Sequence, residues 1–350
     1  MTRSQDSVTL TVGTLDYGGW KSIEITTGFE QQARSFSLGI TWQWPGQTHD
    51  LPIRAGDRCE VRIGTDKVLT GWVSSTPISY DGKSTQLTVK GESLTIDLVE
   101  CAAINQPGQW RQQNLLQIAQ ALSAPYGVKV RSELGQLKPV AQHCIQPGET
   151  VFKSIDRLLV LLLAYSTDDA EGNLVLSAPG SGGEACDALE VGRNVLWASA
   201  ALGYNQRYSE YRVCGQRKAS DDEPASKASQ VEARVQDPQV RKRVLWINES
   251  RQLDQETAQT RALWERRSRA AQTWAVTYKV QGWRQSNGAL WRHNTRVWVR
   301  DPVLGLERQM LIAKVTYSLG QQGTVTTLEV APVAKFELNP TDPKRPEKKA

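Results

Sequence analysis

Long apolar runs are missing from this 350-residue chain. The most apolar stretch, Leu158 to Ala164, falls far short of the roughly 18 consecutive apolar residues of a membrane-spanning helix, so stable membrane insertion is not expected. The first residues, polar from Thr2 to Ser7, lack a basic stretch followed by an apolar one, and folding in a cytoplasm without a secretory leader is expected. Cysteine is sparse and scattered: the five, at 59, 101, 144, 186 and 214, are odd in number and form no CxxC pair, and the one histidine beside a cysteine, His143 next to Cys144, has no further ligand at metal-site spacing. They read as reduced, mostly buried thiols rather than as a disulfide framework or a zinc site. Charge of one sign is also scarce, because 42 basic against 37 acidic residues leave a mild net +5, a weak footprint for a polyanion partner.

The chemistry of an enzyme is equally hard to find. The three histidines, His49, His143 and His293, show no HExxH or paired spacing and read as surface-loop residues, not metal ligands. Gly180-Ser181-Gly182-Gly183-Glu184-Ala185 matches a relaxed GxGxxA dinucleotide fingerprint after a strand-like run, but Cys186 to Gly192 offers no helix to follow it, so a connector is expected. Asp168, Asp169 and Glu171 could be imagined as the paired carboxylates of a glycosidase, yet they lie within four residues and end in Gly172-Asn173, as a turn would. No GxSxG elbow or phosphate loop occurs. No catalytic, cofactor-binding or metal residue is therefore assigned, and no cofactor is expected.

What the chain does have is alternation. From Val8 to Val99 apolar residues recur every second position, as at Phe36, Leu38, Ile40 and Trp42, between turn signals such as Ala55-Gly56-Asp57 and Asp81-Gly82. The last of these separates Ile78–Tyr80 from Thr85–Val89 as in a hairpin. From about 101 to 200 the period changes. Leu115, Ile118, Ala119 and Leu122 share one helical face closed by Pro125 and Gly127, a short strand is expected at 128–130, Thr150 is placed to cap a helix burying Val151, Ile155, Leu158, Leu159 and Leu162, and Leu174–Leu176 reads as a strand. A second β region follows, interrupted by a polar loop at 217–230 and by a long half-exposed helix at 250–272. The fold class expected is mixed, mainly β, with two related small antiparallel β-barrel domains flanking an α+β domain: 1–100, 101–200 and 201–337, then a disordered basic tail at 338–350 rich in Pro and Lys.

The two β regions are related to each other. Adding 238 to residues 36–63 gives 274–301 without a gap, so that Phe36, Leu38, Ile40 and Trp42 fall on Trp274, Val276, Tyr278 and Val280, and Ile53, Cys59 and Val61 on Trp291, Val297 and Val299. At an offset of 241, Gly82, Thr85, Leu87 and Val89 fall on Gly323, Thr326, Leu328 and Val330. A slip of one residue would turn every side chain to the other face of the sheet, so agreement in phase over two segments points to one strand layout used twice.

Twelve tryptophans against four phenylalanines include Trp283, Trp291 and Trp298, close to Arg284, Arg292, Arg296 and Arg300. Such a group can stack bases or anchor a protein interface, and the outward parity of Trp298 favours the interface. The basic run Arg261 to Arg269 could enter a groove of DNA, but Asp254, Glu256 and Glu265 offer it partners on the same helix.

Three stretches, Gly19-Trp20-Lys21, Gly148-Glu149-Thr150-Val151-Phe152 through Leu158, and Arg207-Tyr208-Ser209-Glu210-Tyr211-Arg212-Val213, together with the order of the domains, resemble the baseplate hub proteins of Mu-like contractile-tailed phages and, more distantly, the late-control tail proteins of other contractile phages. The resemblance implies a homotrimer in which six barrels make a pseudo-sixfold ring between a threefold spike protein and the sixfold tail tube. DNA would be only transient cargo through the lumen, and the location a virion baseplate assembled in the host cytoplasm. It carries no catalytic or cofactor residues. Two rival readings stand beside it: a nucleic-acid-binding barrel protein and a tail-associated cell-wall hydrolase.

Overall fold

The computed structural model describes residues 6–42, 53–81, 85–216, 231–320 and 323–340. The alternation in the first hundred residues forms strands β1 (Val8–Val12), β2 (Leu15–Tyr17), β3 (Ser22–Gly28), β4 (Ser35–Trp42), β5 (Arg58–Ile63), β6 (Asp66–Ser75), β7 (Ile78–Tyr80) and β8 (Thr85–Ser93). They pair antiparallel in the order β3-β4-β8-β6-β5-β1-β2, and β7 folds back on β8 with Ile78 opposite Leu87, the expected hairpin. Phe36, Leu38, Cys59, Val61, Leu87 and Val89 are buried, as their phase requires. Where β6 crosses β8 the backbones approach so closely that a Cβ on Gly71 would lie 1.9 Å from the carbonyl oxygen of Glu92, which only glycine tolerates.

A short helix α1 (Ile96–Glu100) leads into β9 (Gln109–Gln113), α2 (Leu115–Ser123), β10 (Val130–Ser132), β11 (Val140–Cys144), α3 (Val151–Leu161), β12 (Tyr165–Asp168) and β13 (Leu174–Ser177). Both larger helices start where side-chain oxygens meet orphan amides. Asn114 and Gln117 form a reciprocal capping box, each bond 3.0 Å, and Thr150 Oγ1 accepts from the Lys153 amide at 3.3 Å. Their apolar faces share one core with β10 and β13: Leu115, Ile118, Leu122, Val151, Ile155, Leu158, Leu159, Leu174 and Leu176. Two details differ from the pattern-based expectation. The strand after α2 begins at Val130, because its ladder is set by pairing with Leu174 of β13. Leu162 is exposed, because α3 ends at Leu161 and Leu163, just past the cap, takes a left-handed φ of 54° that turns the chain out of the helix.

Strands β14 (Leu189–Glu190) and β15 (Val195–Ala200) follow, then β16 (Glu210–Gln216), β17 (Val231–Gln236), β18 (Val244–Gln252) and helix α4 (Gln255–Gln272). The chain divides into two compact units, one made of residues up to 198 together with 277–330, the other of 199–276 and the segment from 331 on. In the second unit the sheet β17-β16-β18 packs Val213, Val231, Ala233 and Val235 against Leu253, Ala258 and Ala262. The helix starts five residues later than its sequence pattern suggested. Residues up to Gln252 are held by the ladder with β16, and Asp254 is the cap, its carboxylate accepting from the Thr257 amide at 2.7 Å, with buried Leu253 before it and buried Ala258 after it as a staple. Leu338 and Asn339, placed in the tail by composition, are buried; the rest of that tail from 341 on and the polar loop 217–230 lie outside the described residues.

The last strands are β19 (Val276–Gln281), β20 (Arg296–Asp301), β21 (Leu306–Gly320) and β22 (Gly323–Ala331). Their order β19-β22-β21-β20 repeats β4-β8-β6-β5, and β20 lies at β5 plus 238, residue for residue. Register agrees as well. Leu38 opposite Val89 in the first copy requires Gly282 to lie by Thr324 in the second, and the Gly282 amide donates to the Thr324 carbonyl at 3.0 Å. The copies are fused into one sheet by an antiparallel ladder between β21 and β3, from Lys314 opposite Gly28 to Leu319 opposite Ile23.

Candidate assembly surface

The residues that might have done chemistry are occupied with architecture. Asp168, at the end of β12, is buried and receives Arg34 twice, at the backbone amide and at Nε, each 3.0 Å, while Arg34 also donates to the carbonyls of Asp168 and Val68. Burial pushes this carboxyl up from the usual range, against the pull of Arg34. Asp169 accepts from the amides of Glu171 and Asn173, from Asn173 Nδ2 and from Arg131 Nε. Burial opposes its ionisation, but the bonds from Asn173 and Arg131 outweigh it and hold the carboxyl low. Asp169 thus ties the turn through Glu171 and Gly172, as its sequence context suggested. These groups border a polar cleft of about 640 Å3 in the first unit, which also takes in Lys67, Glu133, Arg292 and His293. Most of the charges on its wall are already paired within the wall.

The histidines depart from their surface-loop reading. His143 is buried, its Nε2 2.8 Å from Ser154 Oγ. His293 is partly buried between two threonines, Nδ1 3.1 Å from Thr27 Oγ1 and Nε2 3.0 Å from Thr167 Oγ1. Thr167 also donates to the Gly28 carbonyl, so it accepts from Nε2–H. Burial, then the nearby cations Arg34 and Arg292, push the pKa of His293 down to about 3. Both were misjudged because the atoms that cover them lie on other elements: helix α3 for His143, strands β3 and β12 for His293. His49 lies outside the described residues. Among the described residues no group of three or more His, Cys, Asp or Glu is placed to hold a metal ion.

The glycine-rich segment is a connector laced to the loop before β20. The Gly180 amide donates to Asn294 Oδ1 at 2.7 Å and the Gly182 amide to the Asn294 carbonyl at 3.0 Å. A Cβ on Gly182 would sit 2.7 Å from that same carbonyl oxygen, so the glycine serves chain-to-chain approach rather than a phosphate.

Trp298 faces outward as its parity implied, while Trp274, on the core parity, is only partly buried because it precedes the first residue of β19. Trp283 and Trp291 are buried, the first donating from Nε1 to the Ser318 carbonyl at 3.1 Å, while Trp298 on β20 points outward, about half exposed. Arg284, beside them in sequence, is spent within the fold, donating to Asp66 at 2.6 Å and to the Ile63 carbonyl at 3.1 Å, which ties the second copy to the β5–β6 turn of the first. A base-stacking platform needs exposed rings in a row, and this group offers Trp298 alone. In helix α4 the basic run is likewise engaged: buried Glu265 takes Arg261 at 2.7 Å and Arg269 at 2.6 Å, and Arg261 also meets Glu249 at 3.2 Å. Of the large apolar side chains exposed among the described residues, Leu15, Ile78, Tyr80, Leu196, Trp197, Trp246 and Trp298 lie on strands. Such exposure on strands is characteristic of surfaces that associate.

Comparison with known proteins agrees with this architecture. Three family models match separate parts of the chain: the N-terminal domain of Mu phage baseplate assembly protein GpP-like proteins over residues 7–93, the second domain of baseplate hub protein gp44-like proteins over 95–178, and the fourth domain of Mu phage baseplate assembly protein GpP over 254–339. The baseplate hub protein gp44 of Escherichia phage Mu is 32% identical over 98% of this chain and 92% of its own length. Among solved structures, the 43 kDa tail protein of prophage MuSo2 from Shewanella oneidensis superposes with a TM-score of 0.82 at 30% identity, covering 95% of this chain and 99% of that one. A tail protein from Neisseria meningitidis shares the fold with a TM-score of 0.75 at 21% identity, over 96% and 98% of the two chains. With a curated relative matched across nearly its full length, and with its two β repeats and intervening α+β segment in the same order, the chain belongs to the family of Mu-like phage baseplate hub proteins.

Proposed function

We propose that this chain is a non-enzymatic structural subunit of a phage tail baseplate, three copies of which close into a ring that joins a central spike protein to the tail tube and leaves a lumen for DNA during ejection. The observation that carries the reading is the repeat: two copies of one four-stranded layout in a single sheet. Two similar modules in each of three chains give six nearly equivalent positions, which matches a threefold partner on one side to a sixfold partner on the other. Heterologous contacts between unlike copies close such a ring. Each would need to bury roughly 1,200 to 2,000 Å2 in total, and outward aromatic residues such as Trp298 are suited to anchor them.

The mass of the purified protein, alone and with its neighbouring spike protein, tests this directly. The ring is a trimer, three times 38.9 kDa, and negative-stain images should show pseudo-sixfold particles. A protein that stays monomeric at high concentration and with spike present, or a twofold dimer, overturns the proposal. Cell-wall and nuclease assays are expected to be blank, and turnover abolished by a single substitution would refute the non-enzymatic part.

A further inference from the structure

Within one chain the two copies meet by strand pairing, and among the described residues each strand of that junction has a counterpart in the other copy that pairs with a strand on one edge only. Arg58 opposite Trp72 in the first copy corresponds to Arg296 opposite Leu311 in the second, since Arg58 and Arg296 are 238 residues apart. The β21 residues that grip β3, Lys314 to Leu319, therefore correspond to the stretch of the first copy that follows the bulge after Val73. That stretch includes β7. The long strand β21 is a single strand where the first copy, interrupted at Pro77, has β6 and then β7, and β7 lies against β8 as the second half of β21 lies against β22. The counterpart of β3 is β15, because β3 lies beside β4 as β15 lies beside β19.

The burial of the two sets is opposite. At the in-chain junction Val315, Tyr317, Ile23 and Ile25 are all at most 5% exposed. In the counterparts Ile78 is 45% and Tyr80 80% exposed, Leu196 57% and Trp197 48%. The main chain is open there too. The Thr88 amide donates to the Pro77 carbonyl, and in an antiparallel ladder the bonding direction alternates, so the N–H and C=O groups of Ile78 and Tyr80 point away from β8. Among the described residues β7 has no strand partner except β8, and β15 has none except β19, apart from a single bridge at Val195.

We infer that strand β7 of one chain pairs with strand β15 of a second copy of the same chain, repeating between chains the β21–β3 junction that fuses the two copies within a chain. The inference deepens the ring proposed above and rests on it. Open backbone edges flanked by exposed apolar side chains are what one strand needs to add to another sheet, and the occupant is set by the repeat itself: the surface that fits β7 is the one corresponding to β3. Sheet continuity then runs around the ring, with three junctions inside chains and three between them.

Cysteine pairs test the pairing separately from the ring. In full-length protein carrying Cys186→Ser to remove the exposed native thiol, cysteines are placed at Ile78, Ser79 or Tyr80 in combination with Leu196, Trp197 or Ala198, and mass is measured before mild oxidation. At least one combination should give covalent dimers and trimers on a denaturing gel, while each single-site variant stays monomeric. A native trimer in which no combination crosslinks overturns the pairing and leaves the ring standing. A monomer in all conditions overturns the ring as well. As a second readout, Tyr80→Pro removes an outward N–H that no described group accepts, and it should weaken trimer association about tenfold or more with the melting temperature of the monomer unchanged. Unchanged association would count against the pairing.

Discussion

Protonation of His293 should weaken the fold on mild acidification, by an amount that follows from its position. The ring is neutral between Thr27 and Thr167, and its pKa falls from 6.5 to about 3 through burial and the neighbouring Arg34 and Arg292. In the unfolded chain the same group titrates normally, so between these two values the unfolded state binds a proton that the folded state refuses. The stabilising effect of the neutral ring is fully present above the unfolded value and is lost as pH falls toward the folded one. At pH 5 the loss is about 2 kcal/mol, accumulating at about 1.4 kcal/mol per pH unit once the unfolded chain is protonated. Against a typical total of about 5 to 15 kcal/mol this is measurable. Urea unfolding of the wild type and of His293→Gln at pH 7 and pH 5 isolates it from other titrating groups, His143 included. The variant should lose about 2 kcal/mol less than the wild type between the two pH values, whatever its stability at pH 7. Equal pH dependence in the two proteins would refute the account of a neutral, desolvated ring.

Further expectations concern the fold itself. Asp168→Ala leaves Arg34 without its carboxylate in a buried site and should cost about 3 to 5 kcal/mol by denaturant unfolding, whereas Arg34→Met with Asp168→Leu together should recover most of it; a single variant within 1 kcal/mol of wild type would mean that the pair is replaceable by solvent. Asn114→Ala removes one half of the capping box of α2 and should lower stability by about 1 kcal/mol, seen as a shift in the urea midpoint without a change in slope. Gly71→Ala forces a methyl against the Glu92 carbonyl and should destabilise by about 1 to 3 kcal/mol or more, and a neutral result would show that β6 and β8 can separate there at little cost.

Much of this molecule is written in short windows of sequence. The alternation of Phe36 and Leu38, of Leu87 and Val89 and of Tyr278 and Val280 sets which face of each strand is buried, since successive side chains on a strand point opposite ways whatever lies above them. Asn114 and Thr150 mark helix starts because their partners are three residues away, and the repeat is visible because equal phase needs no knowledge of the partner strand. Strand parity alone also placed Trp298 outward. The tertiary structure decided everything that depends on distant covering atoms or distant charges. His143 and His293 became internal because α3, β3 and β12 close over them, and Asp168 became an anchor because Arg34 reaches it across 134 residues. The start of α4 moved to Asp254 because β18 gained a ladder with β16, which competes with the helix for the same backbone amides. The joining of β21 to β3, and the open edges at β7 and β15 that correspond to it, also lie beyond any local pattern. A strand carries the hydrogen-bonding groups for two neighbours, but its own sequence does not say which strand, or which chain, will supply them.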